Sequence, residues 1–173
     1  MHDHEATKRQ LEEPQIQIQK EGLSPEARRL FDRLAQRAYQ IFEAKGRTGG
    51  RELENWLEAE GQLFEKSSLR ITESKEQISV FAEVPDYSPA EIEVDLEPRR
   101  ITIIGKREHV SSGRAEGARL PEKSGLLLSM SLPAEIDPDR ASARLRKGVL
   151  ELELKKAASP PKTKAQAASA GAN

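Results

Sequence analysis

Few residues in this sequence could do chemistry. His2 and His4 stand two positions apart and could hold a transition-metal ion weakly, but a flexible chain end would lose much entropy on binding one. His109 lies in a polar stretch and has no thiol partner, because the chain contains no cysteine. The glycines of residues 46–52, GRTGGRE, lack the spacing that encloses a phosphate. We predict no catalytic residue, no bound metal and no cofactor.

Charged side chains are plentiful, but their pattern indicates surfaces in contact with water rather than a catalytic or binding site. The acidic residues of 91–97, EIEVDLE, and of 150–154, LELEL, alternate with aliphatic ones, which predicts a polar face in contact with water. Four arginines between residues 28 and 37 have acidic neighbours and no aromatic stacking platform. Because 28 basic residues oppose 29 acidic ones, we predict neither nucleic-acid nor membrane binding.

One short motif does suggest binding. Ile16 and Ile18 stand two apart within EEPQIQIQK, in an otherwise polar segment. On an extended chain both side chains point to one side, and Pro14 disfavours a helix at its entry. Two isoleucines cannot form a core, so their role depends on the rest of the chain.

A helical pair is predicted over residues 24–65. Ser24, Pro25 and Glu26 provide an N-cap, a first-turn proline and an early acid, and apolar residues then recur every three or four positions. Gly46 predicts the end of the first helix, and a second helix follows over 51–64 with Leu53, Trp56, Leu57 and Phe64 as its apolar positions. Two helices this short need a partner surface for stability.

From residue 67 the apolar period changes to two. About seven short alternating segments separated by turn residues, with no helical stretch between them, predict a two-sheet antiparallel β-sandwich over 67–156. The fold class is therefore mainly β, with an N-terminal helical pair.

The remaining segments are polar. We predict that residues 1–23 are flexible, that 157–173 are a disordered tail, and that 106–124 form a long loop. The polar start predicts no signal peptide, and the longest apolar run is too short to cross a bilayer, so a cytoplasmic protein is expected.

The sandwich segment resembles the α-crystallin domain of small heat-shock proteins, which has an immunoglobulin-like fold. Four pieces carry the resemblance in the right order: VFAEVPDYSPAEIEVDL (80–96), ITIIGKR (101–107), SLP (131–133) and ARLRKGVLELEL (143–154). The helical pair, residues 37–60, is similar to a small bacterial helical domain of unknown function.

The resemblance implies an ATP-independent holdase, which binds partly unfolded client proteins and assembles into dimers or larger homo-oligomers. The alternative is a non-enzymatic adaptor that uses the sandwich and the helical pair to bind one partner. Neither interpretation implies an enzyme.

The resemblance also assigns candidate binding residues. In the family an Ile-x-Ile or Ile-x-Val motif, usually near the C-terminus, docks into a groove between the two sheets. We predict that Ile16 and Ile18 dock in this way, on their own domain or a neighbour's; the alternatives are a short added edge strand or disorder. The groove residues are predicted to be Ile92, Val94, Ala143 and Leu145.

Dimerisation is harder to predict. Leu128 stands where bacterial members of the family often carry an arginine. In many bacterial dimers of the family the long loop carries a strand that is swapped between subunits, but here loop 106–124 is shorter and has no aromatic residue. The helical pair could supply another interface. Its predicted packing or partner surface contains Phe31, Tyr39, Trp56 and Leu57.

Overall fold

The structure, a computed structural model, describes residues 15–106 and 125–158. It contains two α-helices followed by a β-sandwich, and a further short strand precedes the helices. The mainly β fold with an N-terminal helical pair is as the sequence predicts. No helix in the described part is long and apolar enough to cross a membrane.

The two helices begin and end where the sequence signals place them. Helix α1 spans Pro25–Ala44, and the Ser24 side chain accepts a hydrogen bond from the backbone N–H of Ala27 at 3.1 Å. This is the N-cap that Ser24 predicts, since it satisfies one of the free donors of the first turn. Gly46, at φ +79°, lies in the turn after α1, and helix α2 spans Glu52–Leu63.

The sandwich consists of two four-stranded sheets. The first has the order β1-β4-β5-β6 and the second has the order β2-β3-β8-β7. Every pairing is antiparallel except that of β1 with β4, which is parallel. The strands are β1 Gln17–Gln19, β2 Leu69–Glu73, β3 Gln77–Glu83, β4 Ile92–Glu97, β5 Arg100–Gly105, β6 Leu126–Ser131, β7 Ser142–Arg146 and β8 Val149–Lys155.

The strand count is eight where seven were predicted. The seven predicted strands all lie within residues 67–156, and the eighth is β1, in the segment that contains Ile16 and Ile18. A short added edge strand is one of the alternatives predicted for this segment, but three residues in an otherwise polar head give too weak a period-two signal to count it among the sandwich strands.

The main core lies between the two sheets. Side chains at alternate positions of β3, β4, β5 and β8 are almost fully buried there, together with Tyr87 and Ile136 from the connections. This alternation is the arrangement that the period-two pattern predicts, because successive side chains of a strand point to opposite faces.

A second cluster lies between the helical pair and the outer face of the first sheet. Phe64 and Leu34 are 2% exposed, and they belong to one buried cluster with Ile104 of β5 and Leu127 of β6. The partner surface that two short helices require is thus the sandwich itself. The molecule has three layers in this region: helices, first sheet and second sheet.

Candidate functional site

The Ile-Gln-Ile segment lies along one edge of the sandwich. Strand β1 runs parallel to β4 with Ile18 opposite Val94, and Gln17 and Gln19 opposite Glu93 and Asp95. Because paired residues share a face of a sheet, the isoleucines lie on the core side of β1 and the glutamines on the other side.

On the core side, Ile16 and Ile18 are half-buried and pack against the sandwich core. They also line a cleft of about 520 Å³ together with Ala143 and Leu145 of β7. Strand β7 is the edge strand of the second sheet, so the isoleucines lie where the two sheets meet at an open edge. The cleft is completed by Gln15, Pro89, Arg144 and Arg146.

The residues predicted to form the groove occupy two depths. Ile92 and Val94 are at most 1% exposed and belong to the core, whereas Ala143 and Leu145 are half-buried. The structure therefore places Val94 next to Ile18 in the same sheet, and the two β7 residues across the cleft in the second sheet. Ile16 and Ile18 are here on their own domain.

The outer side of β1 borders a polar cleft of about 480 Å³. Gln17 and Gln19 line it together with Glu93 and Lys106, and Glu93 forms an ion pair with Lys106. The first turn of α1 closes the other side through Ser24, Pro25, Glu26 and Arg29.

The prediction that the carboxylates of 91–97 contact water is wrong for Glu93 and Asp95. Glu93 is 6% exposed and Asp95 is 1% exposed, because the start of α1 covers this face of β4. The backbone N–H of Ser24 donates to Asp95 Oδ2 at 2.9 Å, while Glu93 Oε1 and Asp95 Oδ1 have no hydrogen-bond partner among the described residues.

The two carboxyl groups differ in their pKa. Burial raises the pKa of Asp95 above its usual range, and hydrogen bonds from Ser24 only partly offset this effect. Burial also acts to raise the pKa of Glu93, but hydrogen bonds from Lys106 and Ser24 and the charge of Lys106 outweigh it, so the pKa of Glu93 is lowered. The positive end of α1 adds a favourable field for negative charge here.

Sequence reasoning missed this cluster, although a signal was present. The pairs Ile103-Ile104 and Leu126-Leu127 interrupt the alternation, which indicates that the first sheet has apolar residues on both faces. Such a sheet must be covered on its outer side, and a cover over Ile104 and Leu127 also covers part of β4.

The predicted packing or partner residues of the helical pair fall into two classes. Phe31 and Trp56 are half-buried, whereas Tyr39 is 55% exposed and Leu57 is 57% exposed. Helix α2 instead packs through Asn55 and Ala59, which are 3% and 0% exposed. Leu57 and Tyr39 therefore contribute little to packing within the pair.

No group of three or more potential metal ligands occurs within 15–106 and 125–158. His2, His4 and His109 lie outside the described residues, as do most of loop 106–124 and most of tail 157–173.

The sequence family is decided by a match over the sandwich. The Hsp20/alpha crystallin family matches residues 70–168, more than half of the chain. The chain belongs to the Hsp20/alpha crystallin family. Residues 30–64 match a second family, described as protein of unknown function (DUF2934), which covers most of the helical pair.

Curated relatives of this Hsp20/alpha crystallin family member come from bacteria. The chain is 31% identical to spore protein SP21 of Stigmatella aurantiaca over 106 residues. This aligned region covers 60% of this chain and 63% of that protein. It is 27% identical over 88 residues to small heat shock protein C2 of Rickettsia felis, and this region covers 50% of this chain and 57% of that protein. The chain thus spans less than two thirds of the length of these relatives.

Similar solved structures include a small heat-shock protein and a second heat shock protein. One is from Xylella fastidiosa, with 30% identity, a TM-score of 0.43, and coverage of 57% of this chain and 93% of that one. The other is heat shock protein 16.0 of Schizosaccharomyces pombe, with 25% identity, a TM-score of 0.45, and coverage of 60% of this chain and 74% of that one.

Proposed function

We propose that this protein is an ATP-independent holdase of the cytoplasm. It binds partly unfolded client proteins through apolar surface, keeps them from aggregating, and works as a dimer or larger homo-oligomer without a cofactor. Membership of the Hsp20/alpha crystallin family supports this function, and two of its relatives are named small heat shock proteins. Reversible burial of apolar surface is the only chemistry that such a function needs.

The observation that carries the proposal is the weak cover over the groove. Strand β1 is three residues long, and Ile16 and Ile18 are only half-buried. Fully burying two isoleucines stabilises by roughly 3–6 kcal/mol, so half-burial contributes about half of that before the cost of ordering the segment. A contact of this strength opens often enough for a client to compete with it.

The opened groove would offer a client two kinds of contact. Departure of β1 leaves the edge of β4 with free backbone N–H and C=O groups, to which an extended client segment can add as a strand. It also uncovers the apolar side chains of Val94, Ala143 and Leu145, which can hold alternate side chains of that segment. Main-chain pairing tolerates many sequences, as a general chaperone requires.

The cover is supplied in cis. Residues 20–24 connect β1 to the start of α1, and Ser24 is hydrogen-bonded to Asp95 of β4. While α1 stays docked, this short connection keeps Ile16 and Ile18 near their own groove at a high effective concentration. We interpret β1 as an internal competitor of the client.

A second candidate function is an adaptor without general chaperone activity. The observation that favours it is that the exposed large apolar side chains of the described residues, Tyr39, Leu53 and Leu57, all lie on the helical pair and none on the sandwich. A surface of this kind suits one dedicated partner.

The two functions differ in the range of proteins that are protected: a holdase protects several unrelated proteins, whereas an adaptor binds one partner. Citrate synthase and two unrelated aggregation-prone enzymes are heated with and without this protein, in the absence of ATP, while light scattering is recorded. The holdase should suppress the scattering of all three at near-stoichiometric amounts. Undiminished scattering of all three would contradict the holdase and favour the adaptor.

A further inference from the structure

The polar cleft on the outer side of β1 contains a carboxylate that β1 leaves partly unsatisfied. The Glu93 side chain is 8% exposed, and Lys106 Nζ pairs with its Oε2 atom. The Oε1 atom is buried and has no hydrogen-bond partner among the described residues. The pKa of Glu93 is lowered, so this carboxyl group is ionised at neutral pH. A buried acceptor without a donor costs free energy, and the cost is greater for a charged group.

Gln17 is the residue placed to supply the missing bond, but it does not. It lies directly opposite Glu93 in the pairing of β1 with β4, and both residues line the cleft of about 480 Å³. Gln17 remains exposed while Glu93 Oε1 lacks a donor. Neighbouring strands are only about 5 Å apart, so a longer side chain at this position, with donors at its end, can reach the carboxylate through the cleft.

The other charged groups around the cleft favour a basic side chain at this position. Glu26 and Arg29 form an ion pair with each other at 3.2 Å. Lys106 is already engaged by Glu93. Asp95, two residues along β4, adds a second buried carboxyl group with one oxygen that has no partner in the described part of the chain. The basic groups are therefore paired, whereas two buried carboxyl oxygens are not.

Arginine suits this position best among the basic residues. Its guanidinium group is planar and carries five N–H donors in a fork that matches a carboxylate. An acidic residue there would instead place a like charge directly opposite the buried Glu93, which is unfavourable in a pair of strands.

The positions on either side must be apolar. Ile16 and Ile18 line the inner cleft together with Ala143 and Leu145 of β7. Because successive side chains of a strand point to opposite faces, a segment that replaces β1 meets this apolar surface with its first and third residues. Its second residue faces Glu93.

We propose that Glu93 determines specificity in the client groove, and that it favours extended segments with an arginine between two apolar residues. This inference rests on the proposed function, because it concerns the groove that β1 covers. Strand β1 has glutamine at the middle position, so it matches the apolar half of the groove but not Glu93. It is thus an imperfect competitor, which a better-matched client displaces. The preference is a bias of about tenfold, since main-chain pairing still accepts other sequences.

Peptide binding tests the preference. Three heptapeptides with blocked ends share the sequence of residues 14–20, PQIQIQK, and differ only at the position of Gln17, which is kept or changed by Gln17→Arg or Gln17→Glu. Each is titrated into the wild-type chain, and into the chain with Ile16→Ser and Ile18→Ser, whose own segment competes less. NMR detects weak binding and gives the dissociation constants. We expect the arginine peptide to bind about ten times more tightly than the glutamine peptide, and the glutamate peptide to bind most weakly.

Two variants of the chain identify the cause. Glu93→Gln removes the charge with little change in shape, and the arginine and glutamine peptides should then bind equally. Glu26→Gln is the matched control, because it removes another carboxylate that lines the cleft, and the preference for arginine should persist. A preference that survived Glu93→Gln, or that disappeared in Glu26→Gln, would overturn the role of Glu93.

The outcomes also separate this inference from the proposed function. Equal binding of all three peptides to the wild-type chain would overturn the preference and leave the groove as a client site. Tightest binding of the glutamine peptide would assign the groove to Ile-Gln-Ile segments of other copies and would likewise overturn the preference. No binding of any peptide to either chain would overturn the client groove and the preference together.

Discussion

The backbone N–H of Ser24 donates a hydrogen bond to Asp95 Oδ2 at 2.9 Å, in a buried position. Ser24 also caps α1, and Asp95 lies on β4, the strand that pairs with β1. One strand therefore holds both the start of the helical pair and the Ile-Gln-Ile segment. Loosening this contact should affect the docking of both elements together.

The first prediction concerns Asp95 and pH. Because the pKa of Asp95 is raised in the folded protein, its contribution to stability is present below the unfolded pKa of about 3.9 and is lost as pH rises through the folded pKa. Asp95→Asn keeps an acceptor for the Ser24 N–H and removes the charge. The melting temperature of Asp95→Asn relative to wild type should therefore be higher at pH 7 than at pH 4.

The matched control is Glu153→Gln, which removes one charge from an exposed position of β8. Glu93 has the opposite pKa shift, and its charge contributes to the raised pKa of Asp95, so Asp95→Asn reports on these two coupled carboxyl groups together. A melting-temperature difference between Asp95→Asn and wild type that is the same at both pH values would show that Asp95 has no raised pKa.

The second prediction concerns the buried ion pair. The Glu93 side chain is 8% exposed, and its ionic partner is Lys106. Lys106→Met should lower the free energy of unfolding by about 1–3 kcal/mol, because it leaves a buried carboxylate without its counter-ion. Adding Glu93→Gln in the same chain should recover at least half of that loss. Urea unfolding of the three proteins measures both effects.

Lys156→Met provides the comparison for this pair. Lys156 pairs with Glu73, whose side chain is 42% exposed, so losing this surface contact should cost less than about 1 kcal/mol. Equal losses for Lys106→Met and Lys156→Met would mean that the burial of Glu93 has no energetic consequence.

The third prediction concerns Gly105, at the end of β5. A Cβ atom there would lie 2.6 Å from Tyr87 Cε1 and 2.9 Å from Leu126 Cβ. The Tyr87 hydroxyl donates to Glu65 Oε2 at 3.1 Å, which holds the ring in place. Gly105→Ala should therefore destabilise the protein by about 1–3 kcal/mol, measured by thermal unfolding.

Gly61 is the natural control for Gly105. It lies within α2, and no atom lies within 4 Å of a Cβ built there. Gly61→Ala should stabilise by up to about 1 kcal/mol, because alanine favours a helix more than glycine does. If Gly105→Ala raised the melting temperature as Gly61→Ala is expected to, the tight packing at Gly105 would be contradicted.

The sequence predicts the local elements better than it predicts how they pack. The capping residues around Ser24 and the alternation in the sandwich are local signals, and they predict α1 and the seven sandwich strands. The burial of Glu93 and Asp95 depends on where the helical pair docks, which is a contact between distant segments. Alternating charge and apolar residues in β4 carry no information on that contact.

Helix α2 shows the same limit. Its most apolar row in sequence, Leu53 and Leu57, is exposed, while Asn55 is buried, and its side-chain oxygen there accepts a hydrogen bond from Lys45 Nζ at 3.2 Å. Hydrophobic periodicity alone assigns the leucines to the packed side. The parallel direction of β1 was likewise not predictable: the resemblance assigns Ile92 and Val94 of β4 as its neighbours, but a three-residue strand contains no signal for its direction.

We propose that β1 covers a client-binding groove and can be displaced from it. The most direct test changes both Ile16 and Ile18 to Ser and measures protection of heated citrate synthase together with oligomer size; Gln17→Ser with Gln19→Ser, on the exposed side of the same strand, is the control. We predict that the isoleucine variant protects at a lower temperature than wild type and changes its size distribution, while the glutamine variant does neither. Unchanged protection and unchanged oligomer size in the isoleucine variant would contradict the account.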